Sequence, residues 1–400
     1  MADLTVTTHE SIDDVGANQW NTLVRQSDLG CVFHRHGWLR AIERGLDRRA
    51  HHLVVRKGGN PDGVFPNFWT TVDLPDPSEV VEHLPTDGLA DRLPAGASAL
   101  AERVPTGALV AAATDASAPA GVGADALERL PLERLTSTSP GFGGPVVLTD
   151  ERESLSLLFD RLEESVSGAT VSHVLKAKEP GFVRYGKFLA GRGYEPTRLD
   201  CRFELPVDRP FEELLADMDK SRRKAIRDGR EQDYTVVDRP LADAVDETHA
   251  AYVRDIERAG GEPYPRSFFA ALAAEVPERT RVFVLEVDGR EVGRYVHVLD
   301  EEQSAVHYFF SAIGDTDYYQ YNPTELLHAH AIEWARAEGY DVYDFGSTGS
   351  TFREGLFRYK EKYGARPLPT LRWERGGSPA LWSAYRLARR RYQRLTYPDT

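Results

Sequence analysis

Eight lysines stand against 41 arginines in this chain, and half of those lysines fall in two short windows. A compact ammonium kept where the chain otherwise uses a planar guanidinium marks both windows as candidates for chemistry. The first reads Lys220-Ser-Arg-Arg-Lys-Ala-Ile-Arg-Asp-Gly-Arg230. Its spacing stacks Lys220, Arg223, Arg227 and Arg230 on one face of a helix. Stacked cations repel one another, and an anionic ligand relieves the repulsion. Arg223 and Arg227, with Lys220 and Lys224, are therefore candidate contacts for an anionic ligand. The competing reading is a solvated face paired with Asp219, Asp228 and Glu231.

The second window follows an apolar run ending at Asp344, continues through a Gly/Ser/Thr loop, and places Lys360 and Lys362 on a helix over Phe352–Tyr363. Loops after strand ends are frequent ligand sites, though Asp344 or Ser347 merely capping that helix is the plainer alternative. Asn322, before Pro323, suits a helix N-cap or a ligand contact. Tyr308, on the expected strand Ser304–Ala312, joins Asn322 as a candidate substrate contact. His328 and His330, two apart on a helix, cannot face one site and read as structural, as do His34, His36, His51 and His52. There is no Walker loop, dinucleotide fingerprint, nucleophile elbow or HExxH motif, and no metal site is expected.

The elements that must position these residues are clearest in the second half. Helices are expected over Phe211–Glu231, broken at Gly229, then Leu241–Arg258 and Arg266–Val276. An antiparallel meander follows over Arg281–Val287, Glu291–Leu299 and Ser304–Ala312, with Asp288-Gly289 as a hairpin turn. Helix Thr324–Glu338, strand Tyr340–Phe345 and strand Leu371–Glu374 complete an α/β mixed sheet flanked by helices. In the first half, Gln19–Arg44 reads as helical with a turn at Asp28–Gly30. His51–Arg56 and Gly63–Val72 are strands, Glu151–Val166 a helix, Val171–Leu175 a strand, Val183–Gly191 a helix, and Cys201–Leu205 a strand. Residues 73–136, rich in Pro, Ala, Gly and Asp, look like an irregular excursion. Leu381–Leu395 is a basic amphipathic helix that either meets an anionic surface or packs its apolar face on the body.

A chain of 400 residues suits two domains, here 1–175 and 176–375, with the C-terminal helix at 376–400. The net charge of −14 excludes a diffuse attraction to polyanions, so any anion must meet a local basic patch. DNA is not an expected partner. Low lysine beside abundant Asp and Glu suggests a salt-loving, halophilic or GC-rich source. Cys31 and Cys201 read as two free thiols, and with an acidic N-terminus and no apolar run of membrane length a cytoplasmic protein is expected.

Taken together these segments resemble the FemAB family, best known for peptidoglycan-bridge aminoacyltransferases with paired GNAT-like domains. The resemblance rests on Trp20, Val32–Trp38 and Pro140-Gly-Phe-Gly-Gly-Pro145 in the first half. In the second half it rests on the Arg223–Arg227 helix, Pro263–Phe269, Asp344-Phe-Gly346 and Gly355-Leu-Phe-Arg-Tyr-Lys360. It implies transfer of an aminoacyl or acyl group onto an amine of an anionic envelope-type, nucleotide-linked or lipid-linked acceptor. It also implies that Arg223 and Arg227 bind acceptor phosphates and that Lys360, beside Tyr359, works at the reacting end of the donor. An ammonium there stabilises the oxyanion of a tetrahedral intermediate. Asp344 is the candidate base for the attacking amine.

Two departures bear on the donor and acceptor. Where CoA-dependent GNAT enzymes present a glycine-rich pyrophosphate loop, this chain reads Tyr319-Gln-Tyr-Asn-Pro-Thr, which favours aminoacyl-tRNA over acyl-CoA. No other cofactor is expected. A salt-loving archaeal source would also lack the usual peptidoglycan acceptor. The alternatives are an acyl-CoA-dependent N-acyltransferase of polysaccharide or envelope assembly, and a non-catalytic anion-binding protein. Peripheral membrane contact would run through the C-terminal helix.

Overall fold

The computed structural model describes residues 4–72, 132–166, 170–349, 355–379, 381–383, 385, 386 and 389. They divide between two compact units. The first comprises Met1–Phe68, Ser137–Leu158 and Leu175–Trp373; the second comprises Trp69–Thr136, Phe159–Val174 and Glu374–Thr400.

The first unit opens with β1 (Leu4–His9), α1 (Ala17–Gln26), a 3-10 turn at Val32–His34 and α2 (His36–Leu46). Strands β2 (His52–Lys57), β3 (Asn60–Phe65) and β4 (Asn67–Thr71) follow. The expected strand Gly63–Val72 is thus two strands, because Pro66 carries no N–H with which to continue a ladder. After β5 (Glu133–Ser137) and β6 (Val146–Val147), the order β1-β2-β3-β6 makes one four-stranded sheet. Helix α3 (Glu151–Ser165) and strands β7 (Thr170–Lys178) and β8 (Glu195–Pro206) complete the first half, with short helical turns over Glu179–Phe182 and Gly186–Gly191.

The second half contains α4 (Phe211–Asp217), α5 (Lys220–Arg230), β9 (Tyr234–Arg239), α6 (Val245–Arg258), α7 (Arg266–Glu275) and the meander β10 (Thr280–Val287), β11 (Arg290–Asp300) and β12 (Ala305–Ala312). Then come α8 (Pro323–Ala337), β13 (Val342–Gly349), α9 (Gly355–Glu361) and β14 (Arg366–Gly376). Within this unit the sheet runs β14-β8-β13-β12-β11-β10-β9. Its pairs are antiparallel from β9 to β12 and between β13 and β8, but β12 and β13 are parallel. The β10–β11 turn is closed by Asp288 and Gly289, both at positive φ, as a tight hairpin requires.

The expected single helix Phe211–Glu231 is two. The first ends at Asp217 with Met218 extended, and Asp219 N-caps the second, its carboxylate accepting the Ser221 N–H at 2.8 Å. Gly229 does not break the helix. A Cβ there would lie 3.0 Å from the Leu326 side chain, so the glycine lets α5 approach α8 closely.

Two apolar clusters hold the unit together. Trp20, Phe33 and Trp38 share one with Phe268, Val282 and Phe310, so first-half helices and second-half strands are buried together. Phe203, Ile226, Tyr295, Leu327, Tyr343 and Tyr363 belong to the other. Each such side chain contributes about 1.5–3 kcal/mol on burial.

In the second unit, β5 pairs in parallel with β7 through Arg134↔Ser172 to Thr136↔Val174. Residues 133–136, expected to be irregular, therefore form strand; 73–131 lie outside the described residues. Glu374 is 3% exposed and accepts from Ser172 Oγ at 2.9 Å and from Arg389 at 2.7 Å. Arg134 donates to the Tyr385 hydroxyl at 2.6 Å, and Arg386 sits 5.9 Å from the Trp382 ring. Arg389 is thus paired within the protein, and residues 384, 387, 388 and 390–395 of the expected C-terminal helix lie outside the described residues. Among the described residues no helix is long and apolar enough to cross a membrane.

Candidate functional site

The parallel β12–β13 ladder covers Ala305↔Val342 to His307↔Asp344, yet β12 runs on to Ala312 and β13 to Gly349. β13 also skips register against β8 between Asp344 and Ser347. The cause is Gly346, at φ +78°, a conformation L-residues rarely adopt. A Cβ there would lie 3.1 Å from the Tyr308 carbonyl oxygen, so the bulge needs glycine on both counts.

Lys360 closes on this bulge. It is 4% exposed, and its Nζ donates to the Gly346 carbonyl at 3.1 Å and the Ser347 carbonyl at 2.8 Å. Charged donors on carbonyls form strong bonds, so the ammonium is held in place. Helix α9 delivers it; the expected start of that helix at Phe352 lies outside the described residues. Tyr359 turns to the neighbouring space, its hydroxyl 2.8 Å from that of Tyr363. Burial pushes the Tyr359 phenol up, so it stays protonated near neutrality.

Asp344 does different work from the base expected of it. It is fully buried, and its Oδ2 takes the Arg202 Nε at 2.7 Å, the other Arg202 terminus at 2.7 Å and the His307 Nδ1 at 2.9 Å. Its Oδ1 takes the Gly346 N–H at 2.8 Å. Burial favours the neutral acid, but Arg202 and His307 outweigh it and hold the carboxyl well below the usual range. A carboxylate so stabilised is a poor proton acceptor. It shapes the bulge instead.

The basic helix is also rearranged relative to its sequence pattern. Arg223 donates to the Ala216 carbonyl at 2.9 Å and the Met218 carbonyl at 2.5 Å, capping the end of α4. Lys224 pairs with Asp228 at 2.5 Å, and Arg230 with Glu333 at 2.9 Å. Lys220 and Arg227 remain exposed on α5. The stacked cationic face is thus largely answered by the protein's own oxygens, because α4 and α8 pack against α5.

Arg222, off the stacked face of the sequence pattern, is a cation of α5 that lies against Tyr359. Its guanidinium lies 4.8 Å from the Tyr359 ring centre and 5.8 Å from that of Tyr363, and it pairs with Glu325 in the first turn of α8. Its Nε is buried without a hydrogen-bond partner among the described residues. Glu325, 7% exposed, also accepts from Thr324 Oγ1 at 2.7 Å. In sequence, Arg222 sits between better-spaced cations, and nothing in its spacing pairs it with Glu325.

Tyr308 packs beside the bulge, 4.6 Å from Tyr295 and 5.0 Å from His328 between ring centres. His328 Nδ1 lies 2.8 Å from the Tyr343 hydroxyl, and burial first, then nearby His297, Lys360 and Arg222, push its pKa well down. It is a neutral part of the aromatic wall. Asn322 is at φ 53° and precedes α8, but its side chain makes no capping bond; its backbone carbonyl accepts the Leu326 N–H at 3.1 Å. Before it, Thr316–Tyr321 forms a 3-10 helix capped by the Asp315 carboxylate, which accepts the Asp317 N–H at 2.9 Å. Among the described residues no group of His, Cys, Asp and Glu is placed to hold a metal ion.

The acetyltransferase (GNAT) domain family matches residues 215–361, the stretch from the end of α4 through α9. FemX has a similar structure at TM-score 0.62 and 13% identity, over 90% of this chain and 96% of its own. A tandem GNAT protein from the clavulanic acid biosynthesis pathway aligns at TM-score 0.51 and 15% identity, over 94% of this chain and 99% of its own. A conserved protein of unknown function from Bacteroides thetaiotaomicron aligns at TM-score 0.53 and 12% identity, over 93% and 99%. No curated protein matches the sequence. At such identities the likeness is one of fold. Residues 215–361 thus match the acetyltransferase (GNAT) domain family, and the chain has a fold like those of FemX and the tandem GNAT protein, mixed sheets flanked by helices.

Proposed function

We propose that this protein is an aminoacyltransferase, moving an aminoacyl group from a charged tRNA onto an amine of an anionic acceptor. The Lys360 ammonium carries the proposal: it is buried and fixed by two carbonyls where the β12–β13 ladder stops. When an amine attacks the donor carbonyl, negative charge grows on its oxygen, and a fixed ammonium stabilises that charge with no reorganisation at the moment of reaction. Arg222, with a buried Nε lacking an acceptor, supports a ligand oxygen beside Tyr359. Arg227 and Lys220, exposed on the same helix, are proposed to meet acceptor phosphate. Asn322 and Tyr308 flank the same region and are proposed substrate contacts.

The start of α8 supports a donor other than CoA. A diphosphate at a helix N-terminus needs open amides and a neutral or positive surround. Here the approach is a 3-10 helix capped by Asp315 and carrying Asp317, with Glu325 in the first turn of α8. The match of residues 215–361 to an acetyltransferase domain favours a second reading, an acyl-CoA-dependent N-acyltransferase. Purified protein supplied with either aminoacyl-tRNA or acetyl-CoA and a panel of amines separates the two. Transfer from acetyl-CoA alone would overturn the first. The pairing of residues 1–175 and 176–375 as two GNAT-like domains belongs to the same proposal and draws on the likeness to a tandem GNAT protein.

A further inference from the structure

A string of buried charges runs through the first unit toward Lys360, and the proposed chemistry does not use it directly. At its centre is His307 on β12, 0% exposed. Its Nδ1 lies 2.9 Å from Asp344 Oδ2 and its Nε2 lies 3.4 Å from Asp300 Oδ2. Ionised carboxylates only accept, so a ring that answers both must carry a proton on each nitrogen. The charges agree. Asp300 and Asp344 are balanced by His307 and Arg202, whereas a neutral imidazole leaves one buried negative charge unpaired.

The charged groups that act on this ring come from the elements packed on it. β11 supplies Asp300, β13 Asp344 and β8 Arg202; the segment around Val32 supplies the rings of Phe33 at 5.1 Å and, with Phe142 at 6.0 Å, an apolar cover. Beyond Asp300 lie Glu302, paired with Arg35 and Arg279, and the neutral thiol of Cys31. Asp300 is itself anchored, its Oδ1 accepting the N–H groups of Val32 at 3.0 Å and Gln303 at 3.2 Å. Burial disfavours the imidazolium, but the bonds to Asp300 and Asp344 outweigh it and raise the His307 pKa above the ordinary value.

At the other end, Asp344 accepts the Gly346 N–H, and the Gly346 and Ser347 carbonyls hold the Lys360 ammonium. We infer that His307 is a positioning residue for Lys360: its imidazolium, held between Asp300 and Asp344, orients the carboxylate that shapes the Gly346 bulge and thereby the two carbonyls on which the ammonium hangs. The functional meaning rests on Lys360 lying at the reacting centre, but the positioning is measurable apart from it.

The test uses the full chain with lysine labelled with nitrogen-15 at Nζ. The Lys360 ammonium signal is the one lost in Lys360→Met. Between about pH 5.5 and pH 8.5 that signal is expected to shift and exchange faster through the same transition as the His307 ring nitrogens. In His307→Gln, with folding checked by near-ultraviolet circular dichroism, ammonium proton exchange is expected to be about tenfold faster at every pH. Asp300→Asn, which leaves Asp344 untouched, should move the His307 and Lys360 transitions together to lower pH. A Lys360 signal that stays constant through the His307 transition, or is unchanged in folded His307→Gln, overturns the inference. Should His307→Gln not fold, the Asp300→Asn titration decides it. Normal turnover by Lys360→Met would remove the catalytic reading while leaving these couplings intact.

Discussion

At the scale of single residues, the side chain's partners decide what it can do, and Lys360 and Arg223 show opposite outcomes. Lys360→Met is expected to lower turnover by about 100-fold, or about 3 kcal/mol of transition-state stabilisation. Read from the sequence alone, the same change should leave the melting temperature alone. Its burial against two carbonyls says otherwise, and a stability loss of about 1.5 kcal/mol or more is expected in thermal unfolding. Turnover of Lys360→Met at the wild-type rate would move the site elsewhere. Arg223→Ala, because it removes a cap on α4, should cost about 0.5–1 kcal/mol of stability and leave phosphate binding unchanged. Arg227→Ala should do the reverse, and titrating both variants with a phosphorylated ligand at two salt concentrations separates them. Arg222→Ala leaves Glu325 without its partner and should cost about 2 kcal/mol, read as a lower urea midpoint.

At the scale of elements, the candidate site lies at an interruption of the sheet. The β13 bulge ends the ladder to β12, α9 sends its ammonium to the bulge carbonyls, and the start of α8 brings Glu325 against Arg222 of α5. The acidic 3-10 turn before α8 sets the donor prediction. Millimolar acetyl-CoA should leave the melting temperature within about 1 °C of that of the protein alone. A rise of several degrees would favour the acyl-CoA reading and require Asp315 and Asp317 to move aside. Much at this scale was legible beforehand. The meander and α8 follow from apolar periodicity and from Asp288-Gly289, and each lies within a residue or two of its expected bounds. The split of Phe211–Glu231 was not, because Asp219 followed by Lys220 and Ser221 reads as ordinary helix surface until Asp219 is seen bonding Ser221.

At the scale of the whole molecule, buried histidines make stability depend on pH. His34 and His297 are held down to about 4 and about 3 by burial, and His328 lies well below its ordinary value. Each binds its proton in the unfolded chain before it does in the folded one. Stability is therefore lost as pH falls below about 6.5, at about 1.4 kcal/mol per pH unit for each histidine. His307 has the opposite sign: its pKa is raised, so its contribution is present below about 6.5 and fades as pH rises through the folded value. Asp344, depressed, contributes above about 4 and loses that contribution only in stronger acid. The maximum should fall near neutrality, with a steep decline toward pH 5. Urea midpoints across that range check it, and a gain in stability on acidification would contradict the assignment of the three neutral histidines.

The class of fold, the mixed sheet and the two windows where lysine survives among arginines were legible in the amino-acid order. Local physics sufficed for these, since periodicity, turn chemistry and composition act over a few residues. Lys360 was legible because its residue type was unusual for the chain. Tertiary contacts set which cation of α5 lies against Tyr359, bound Asp344 to Arg202 and His307, and put Asp300 behind His307. Those outcomes depend on partners far along the chain, Arg202 with Asp344, Asp300 with Val32 and Arg222 with Glu325, which meet only after apolar burial has brought their elements together. A buried charge takes its role from the partner that balances it, and no local spacing names that partner.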